Sequence, residues 1–311
     1  MKIIAPDYFG EFSCIKGACR HSCCAGWEID IDQDSLDYYR SVPGEMGRRL
    51  AGSIETENCA AHFRLDADGR CPFLNGDGLC DIILEMGEDS LCRICSDHPR
   101  FRNFFSDRTE VGLGLCCEAA GKLILARERA VRLAVIQDDG AGEAADEDEE
   151  CVCALRDELT AIIQDGSQPV EARVARMLEY AEAEMDDVSI ERWAEFLLGL
   201  ERLDDGWTLL LKKLCEGCGA RDMPELDTAF ENLMAYLLYR HMPGALDDGD
   251  LGGRIAFCAL MWRVLRAICA KENADMEDMI EIARLYSSEI EYSDENIGAI
   301  LDQIHRVYPE I

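Results

Sequence analysis

Apolar residues along the C-terminal half recur at helical spacing. Ile297, Ile300, Leu301, Ile304 and Tyr308 fall at i, i+3, i+4, i+7 and i+11, and Ser293 stands ahead of them as an N-cap with acids in the first turn. From Ile255 to Cys269 a second stripe runs through Cys258, Met261, Trp262, Leu265 and Ile268. Segments near 171–185, 190–203, 207–215, 226–241 and 276–290 carry the same period, so this half predicts a bundle of six to eight helices. The N-terminal half differs. Its apolar runs are short, glycines are frequent and cysteines come every few residues, with helical pieces predicted near 34–40, 81–87 and 118–136. That pattern predicts a loop-rich module held together by bound metal. The fold class expected is mainly α: a cysteine-rich, loop-rich N-terminal module followed by an α-helical bundle.

Charge sharpens the division. Residues 1–137 carry 16 basic and 22 acidic side chains (net −6), and residues 138–311 carry 15 and 41 (net −26). Between them, eight of the thirteen residues 138–150 are acidic and none is a large apolar residue, which predicts an exposed linker. The expected organisation is therefore a metal or iron–sulfur module over 1–137, an acidic linker over 138–150 and a helical bundle over 151–311. A formal charge of −32 over 311 residues excludes a general nucleic-acid binder, because phosphate contact needs a basic surface. It is compatible with a cationic, lysine-bearing partner and equally with solubility alone.

The first residues carry one Lys and too short an apolar run for a signal peptide, and no stretch approaches the ~20 apolar residues of a membrane span. A cytoplasmic location is expected, where thiols stay reduced. Seventeen cysteines in such a chain point to metal or chemistry more than to disulfides. Eleven lie within residues 14–117: Cys14, Cys19, Cys23 and Cys24; then Cys59; then Cys71, Cys80, Cys92 and Cys95; then Cys116 and Cys117. Thiolates are the preferred ligands of zinc and of iron–sulfur clusters, four to a site, and short spacings let one loop supply several sulfurs. The spacing does not name the metal. Cys151, Cys153, Cys215 and Cys218 read as incidental, and Cys258 and Cys269 as buried apolar residues of a helix. His21, His62 and His98 lie among the cysteines as candidate ligands or proton acceptors, while His241 and His305 read as helix-surface residues.

These blocks have a familiar order. The segments 12–27 (FSCIKGACRHSCCAGW), 71–82 (CPFLNGDGLCDI), 91–100 (LCRICSDHPR) and 112–120 (GLGLCCEAA) resemble the flagellin lysine-N-methylase family, part of a larger group of cysteine-rich zinc- or iron-chelating domains. Segment 288–296 (SEIEYSDEN) is similar to a family segment with His where Tyr292 stands. The resemblance implies methyl transfer from S-adenosylmethionine to lysine side chains of flagellin, with a 4Fe-4S cluster involved and zinc as the alternative. It implies Cys14, Cys19, Cys23, Cys24, Cys71, Cys80, Cys92, Cys95 and Cys116 as metal ligands. Cys117 stands where many relatives of that family carry proline, and Cys59 matches no family position.

Methyl transfer to an amine needs the lysine neutral and in line with the sulfonium methyl. The proton acceptors nominated are His98 and His62, with His21 behind them. No Rossmann nucleotide signature is visible, since Val111-Gly-Leu-Gly-Leu lacks the third glycine and leads into Cys116. The donor site is then of another kind. Two other readings stand beside the enzyme: a module that chelates iron or zinc without methyltransferase activity, and a structural zinc domain that presents the acidic bundle to a partner.

Overall fold

A computed structural model describes residues 1–311 apart from 27, 28, 58, 59, 143, 184, 186–188 and 220. Cys59 thus lies outside the described residues. The chain divides into two units. One is built from Met1–Phe12 and Arg102–Ile311, the other from Ser13–Phe101.

The chain opens with β1 (Lys2–Pro6) and then enters the small unit. There, β2 (Ile29–Ile31) is followed by α1 (Gln33–Ser41), α2 (Gly44–Ser53), β3 (Ile54–Glu57) and β4 (Ala60–Phe63), then by the short helices α3 (Asp81–Met86) and α4 (Arg93–Asp97). β4 pairs antiparallel with β2 and β3, giving the order β2-β4-β3, so Ile29, Ile31, Ala61 and Phe63 turn to one buried face while Asp30 and His62 lie opposite each other on the other. Leu36, Tyr39, Met46, Leu50 and Phe73 complete that core, with Tyr39 tilted against Phe63 at 5.9 Å and Phe63 edge-on to Phe73 at 5.1 Å. Asp32 caps α1 through Ser35 N at 3.1 Å and also accepts Arg93 N at 2.8 Å, which fixes the start of α4. α3 stops at Gly87, whose φ of 93° favours glycine.

β5 (Arg100–Phe104) leads into the large unit, where β6 (Arg108–Leu113), α5 (Glu118–Leu125) and β7 (Leu133–Asp138) follow. β1 pairs parallel with β6 and antiparallel with β7, in a sheet of order β5-β6-β1-β7. The helices are α6 (Glu147–Ile163), α7 (Val170–Tyr180), α8 (Ile190–Leu197), α9 (Asp205–Cys215), α10 (Asp227–His241), α11 (Ala245–Asp248), α12 (Leu251–Glu272), α13 (Met276–Tyr286) and α14 (Asp294–Val307). α10 and α12 are buried on almost every side, as helices without a polar face must be, and the others pack around them. Trp262 Nε1 donates to Phe230 O at 2.9 Å and ties the two together. Ser293 caps α14 through Asn296 N, as its sequence predicts.

The fold is mainly α, with three departures from expectation. The helix expected over 118–136 ends at Leu125, and residues from Leu133 form a strand instead, because β1 offers that segment a partner edge. The expected linker gives way at Asp146, which makes a capping box with Glu149 and opens α6; Glu149 is buried and accepts Ser106 N at 2.8 Å. The two units also divide elsewhere than at 138–150, since the sheet built from β1, β6 and β7 joins both chain ends of the cysteine-rich half to the bundle's unit. Among the described residues, no helix is long and apolar enough to cross a membrane.

Candidate functional site

In the small unit, separate chain segments bring thiols together. A backbone bridge between Ala25 and Arg70, with Cys71 N donating to Cys24 O at 2.8 Å, sets Cys24 beside Cys71. A second bridge, Leu74 to Cys80, folds the intervening loop back, and Asp81 N closes it on Phe73 O at 2.8 Å. Cys92 and Cys95 come from the N-cap and first turn of α4. Cys71 and Cys92 belong to the buried core, against which Cys24, Cys80 and Cys95 pack.

Their acidities show the crowding. Burial pushes the Cys71 thiol up to about 12, helped by the charges of Cys24, Cys80 and Cys92. Cys95 is raised by its hydrogen bond to Cys92 and then by burial, while that same bond lowers Cys92. A hydrogen bond from Cys23 lowers Cys24 to about 7. Like charges that raise one another's pKa are what a thiophilic cation would relieve. In donor type the set Cys24, Cys71, Cys80, Cys92 and Cys95 therefore fits zinc or an iron–sulfur cluster. Among the described residues, though, no three Cys, His, Asp or Glu side chains converge tightly enough to hold a metal ion.

Of the other nominated ligands, Cys23 touches the set through its hydrogen bond with Cys24. Cys14 is exposed and accepts Lys16 N at 3.3 Å, and Cys19 donates to His21 O at 2.7 Å. Cys116 belongs to the large unit, where its thiol donates to the Tyr292 hydroxyl at 3.3 Å. Of the nominated bases, His62 sits on β4 with Nε2 4.0 Å from Glu55 Oε2. His98 ends α4, where burial and then the Arg100 charge lower it to about 4. It is neutral at pH 7, an acceptor of hydrogen bonds and a weak base.

A second constellation is centred on Glu291 in the large unit; segment 288–296 holds Glu291 and Tyr292, but no motif joins them to Tyr236, Arg240 and His241. Glu291 closes a π-helical turn, Ser287–Glu291, that follows α13, and such turns recur at functional sites. Its side chain is fully buried; it accepts Tyr236 Oη at 2.7 Å, His241 Nε2 at 2.9 Å and the Ser287 hydroxyl. Arg240 stands 3.7 Å away, donates to the Glu291 carbonyl at 3.1 Å and covers the Tyr292 ring. Burial works against the carboxylate, yet Arg240 and the bonds from His241 and Ser287 hold Glu291 down to about 2. Burial lowers His241 in spite of Glu291, so the pair is carboxylate and neutral imidazole. Tyr236 Oη also accepts Leu115 N at 3.3 Å, which links Glu291 to the loop that carries Cys116.

His241 is therefore a core residue, contrary to the surface position expected. A signal exists in the sequence: Phe230, Leu233, Met234, Leu237, Leu238 and His241 form one apolar stripe, with the histidine at its last position. Likewise Ser287 and Glu291 continue the stripe of Ile280 and Ala283. Polar residues in line with a core stripe mark a buried network.

The family described as the FliB lysine N-methylase C-terminal domain matches residues 143–308. The chain belongs to that family. Tyr236, Arg240, His241, Ser287, Glu291 and Tyr292 all lie inside the matched segment, which is the half whose sequence contributed least to the resemblance. The Lysine-N-methylase of Salmonella typhimurium (strain LT2) and that of Salmonella choleraesuis (strain SC-B67) are each 30% identical over 129 residues, 40% of this chain and 32% of theirs. The flagellar biosynthetic protein FliU of Salmonella muenchen is 29% identical over 129 residues, 40% of this chain and 76% of its own. The chain thus matches about a third of the length of the two lysine N-methylases. No solved structure matches.

Proposed function

We propose that this chain is a protein-lysine N-methyltransferase that takes methyl groups from S-adenosylmethionine and places them on lysine side chains of a protein such as flagellin. Membership of the FliB lysine N-methylase family carries the reading. The acidic bundle supports it, because −26 over residues 138–311 attracts both a cationic lysine and the sulfonium donor.

Cys24, Cys71, Cys92 and Cys95 would hold an iron–sulfur cluster, with Cys80 beside them and Cys14, Cys19 and Cys23 as further thiols from the same unit. When bound, such a cluster supplies Lewis-acidic, redox-active iron. The chain's own residues have simpler tasks. His62, or His98 as the weaker base, would accept the ammonium proton, and the acidic surface orients the lysine-bearing segment.

The test begins with protein purified without oxygen. Iron and sulfide in stoichiometric amounts with absorption near ~400 nm support the cluster; stoichiometric zinc without colour supports the zinc alternative. Methylated flagellin lysines after incubation with S-adenosylmethionine support the enzyme. Bound metal without any methylation favours the chelating module instead.

A further inference from the structure

The large unit contains a small, partly open cavity of about 50 Å³ between β1, α5, α6 and α10. That is room for several waters, or for one carboxylate or phosphate group. Its walls combine apolar residues with groups that a core does not ordinarily gather: the guanidinium groups of Arg127 and Arg156, and the rings of Tyr8 and Tyr239. Arg127 lies over the Tyr8 ring at 5.3 Å, and Arg156 lies over the Tyr239 ring at the same distance.

The two arginines differ in how they are satisfied. Arg156 is matched by Glu110, which binds both of its terminal nitrogens, and by Asp157 at 3.4 Å. Arg127 reaches Asp7 through Nη2 at 2.7 Å, but its Nε has no hydrogen-bond partner among the described residues, although the side chain is only 8% exposed. A buried donor left unmet is destabilising, so its retention beside a cavity points to a ligand that meets it. Arg129 and Arg132 line a separate pocket with Asp7, and Arg129 pairs with Glu11 at 3.7 Å.

We infer that this cavity binds an oxyanion, either the carboxylate or the phosphate of a small ligand, with Arg127 Nε as its donor. The tyrosine rings wall the guanidinium groups in. The site is independent of the methyltransferase reading.

Calorimetric titration of the whole chain with inorganic phosphate and, separately, with acetate tests it. Saturable binding near about 1 mM is expected for at least one of them. Phosphate alone assigns a phosphoryl ligand, and acetate alone a carboxylate. Arg127→Lys keeps the charge but loses the Nε donor, and should weaken binding at least about tenfold. Ala235→Val, which fills the cavity and removes no polar group, should weaken it equally and serves if the lysine variant fails to fold. Absence of saturable binding by both anions, or affinity unchanged in Ala235→Val, overturns the proposal.

Discussion

The Cys116 thiol lies 3.3 Å from the Tyr292 hydroxyl although 176 residues separate them in the chain. The contact joins the last cysteine block of the N-terminal half to the segment that closes the Glu291 network. Burial pushes the Cys116 thiol up to about 11, so it is a neutral hydrogen-bond donor here. Tyr292→Phe should therefore cost about 1 kcal/mol of stability in urea unfolding. With Cys116→Ser as the second change, a double-mutant cycle should return a coupling of about 0.5 kcal/mol or more. Strict additivity of the two changes would show that the contact does not form in solution.

Glu291 is the hub of the buried network, and its removal leaves Arg240 desolvated. Glu291→Gln should destabilise the chain by about 3–5 kcal/mol, measured as a shift of the urea midpoint at constant slope. Glu295→Gln, on the exposed side of α14, should shift it by less than about 0.5 kcal/mol. Similar small shifts from both variants would contradict a buried charged hub.

Stability should fall with acidity in two stages. Because burial depresses His241 in the folded chain, the unfolded chain takes up that proton first as pH drops below about 6.5. The contribution is full above that pH and is lost below it, at up to about 1.4 kcal/mol per pH unit. Glu291, lowered to about 2, contributes stability that is full above the ordinary carboxylate value and is lost as pH falls toward about 2. Urea midpoints between about pH 7.5 and 5 should therefore slope downward, and His241→Gln should flatten that slope. An unchanged slope would place the imidazole in solvent.

The thiols of the small unit should separate into those needed for metal and those that are not. Ser in place of Cys71 or Cys92, both buried in the core, should remove most bound metal from anaerobically purified protein, as measured by elemental analysis. Cys218→Ser, exposed in the large unit, should leave the content unchanged. Among the described residues Cys14 accepts a backbone amide, so a Cys14→Ser loss as large as that of Cys71→Ser would show that metal binding draws in residues 14–19.

Long periodic elements were legible in the sequence. The stripe Ile297 to Tyr308 gave both the last helix and its Ser293 cap, because local chemistry and burial agree there. The helix read over 118–136 stops at Leu125, and Leu133–Asp138 became β7, since a partner strand overrides a weak propensity. The cysteine blocks located the thiol-rich unit but not which thiols meet, which depends on bridges such as Ala25 to Arg70 that have no periodic signature. The Glu291 network was least visible. Its members come from distant segments and share only their place on apolar stripes, where a polar residue is easily taken for a surface one.

The central claim is tested most directly by mass spectrometry of flagellin incubated with the anaerobically purified chain and S-adenosylmethionine. The account predicts lysine side chains heavier by one methyl group, dependent on the donor and lost with the bound metal in Cys71→Ser. Flagellin unmodified by metal-loaded protein at saturating donor would contradict it.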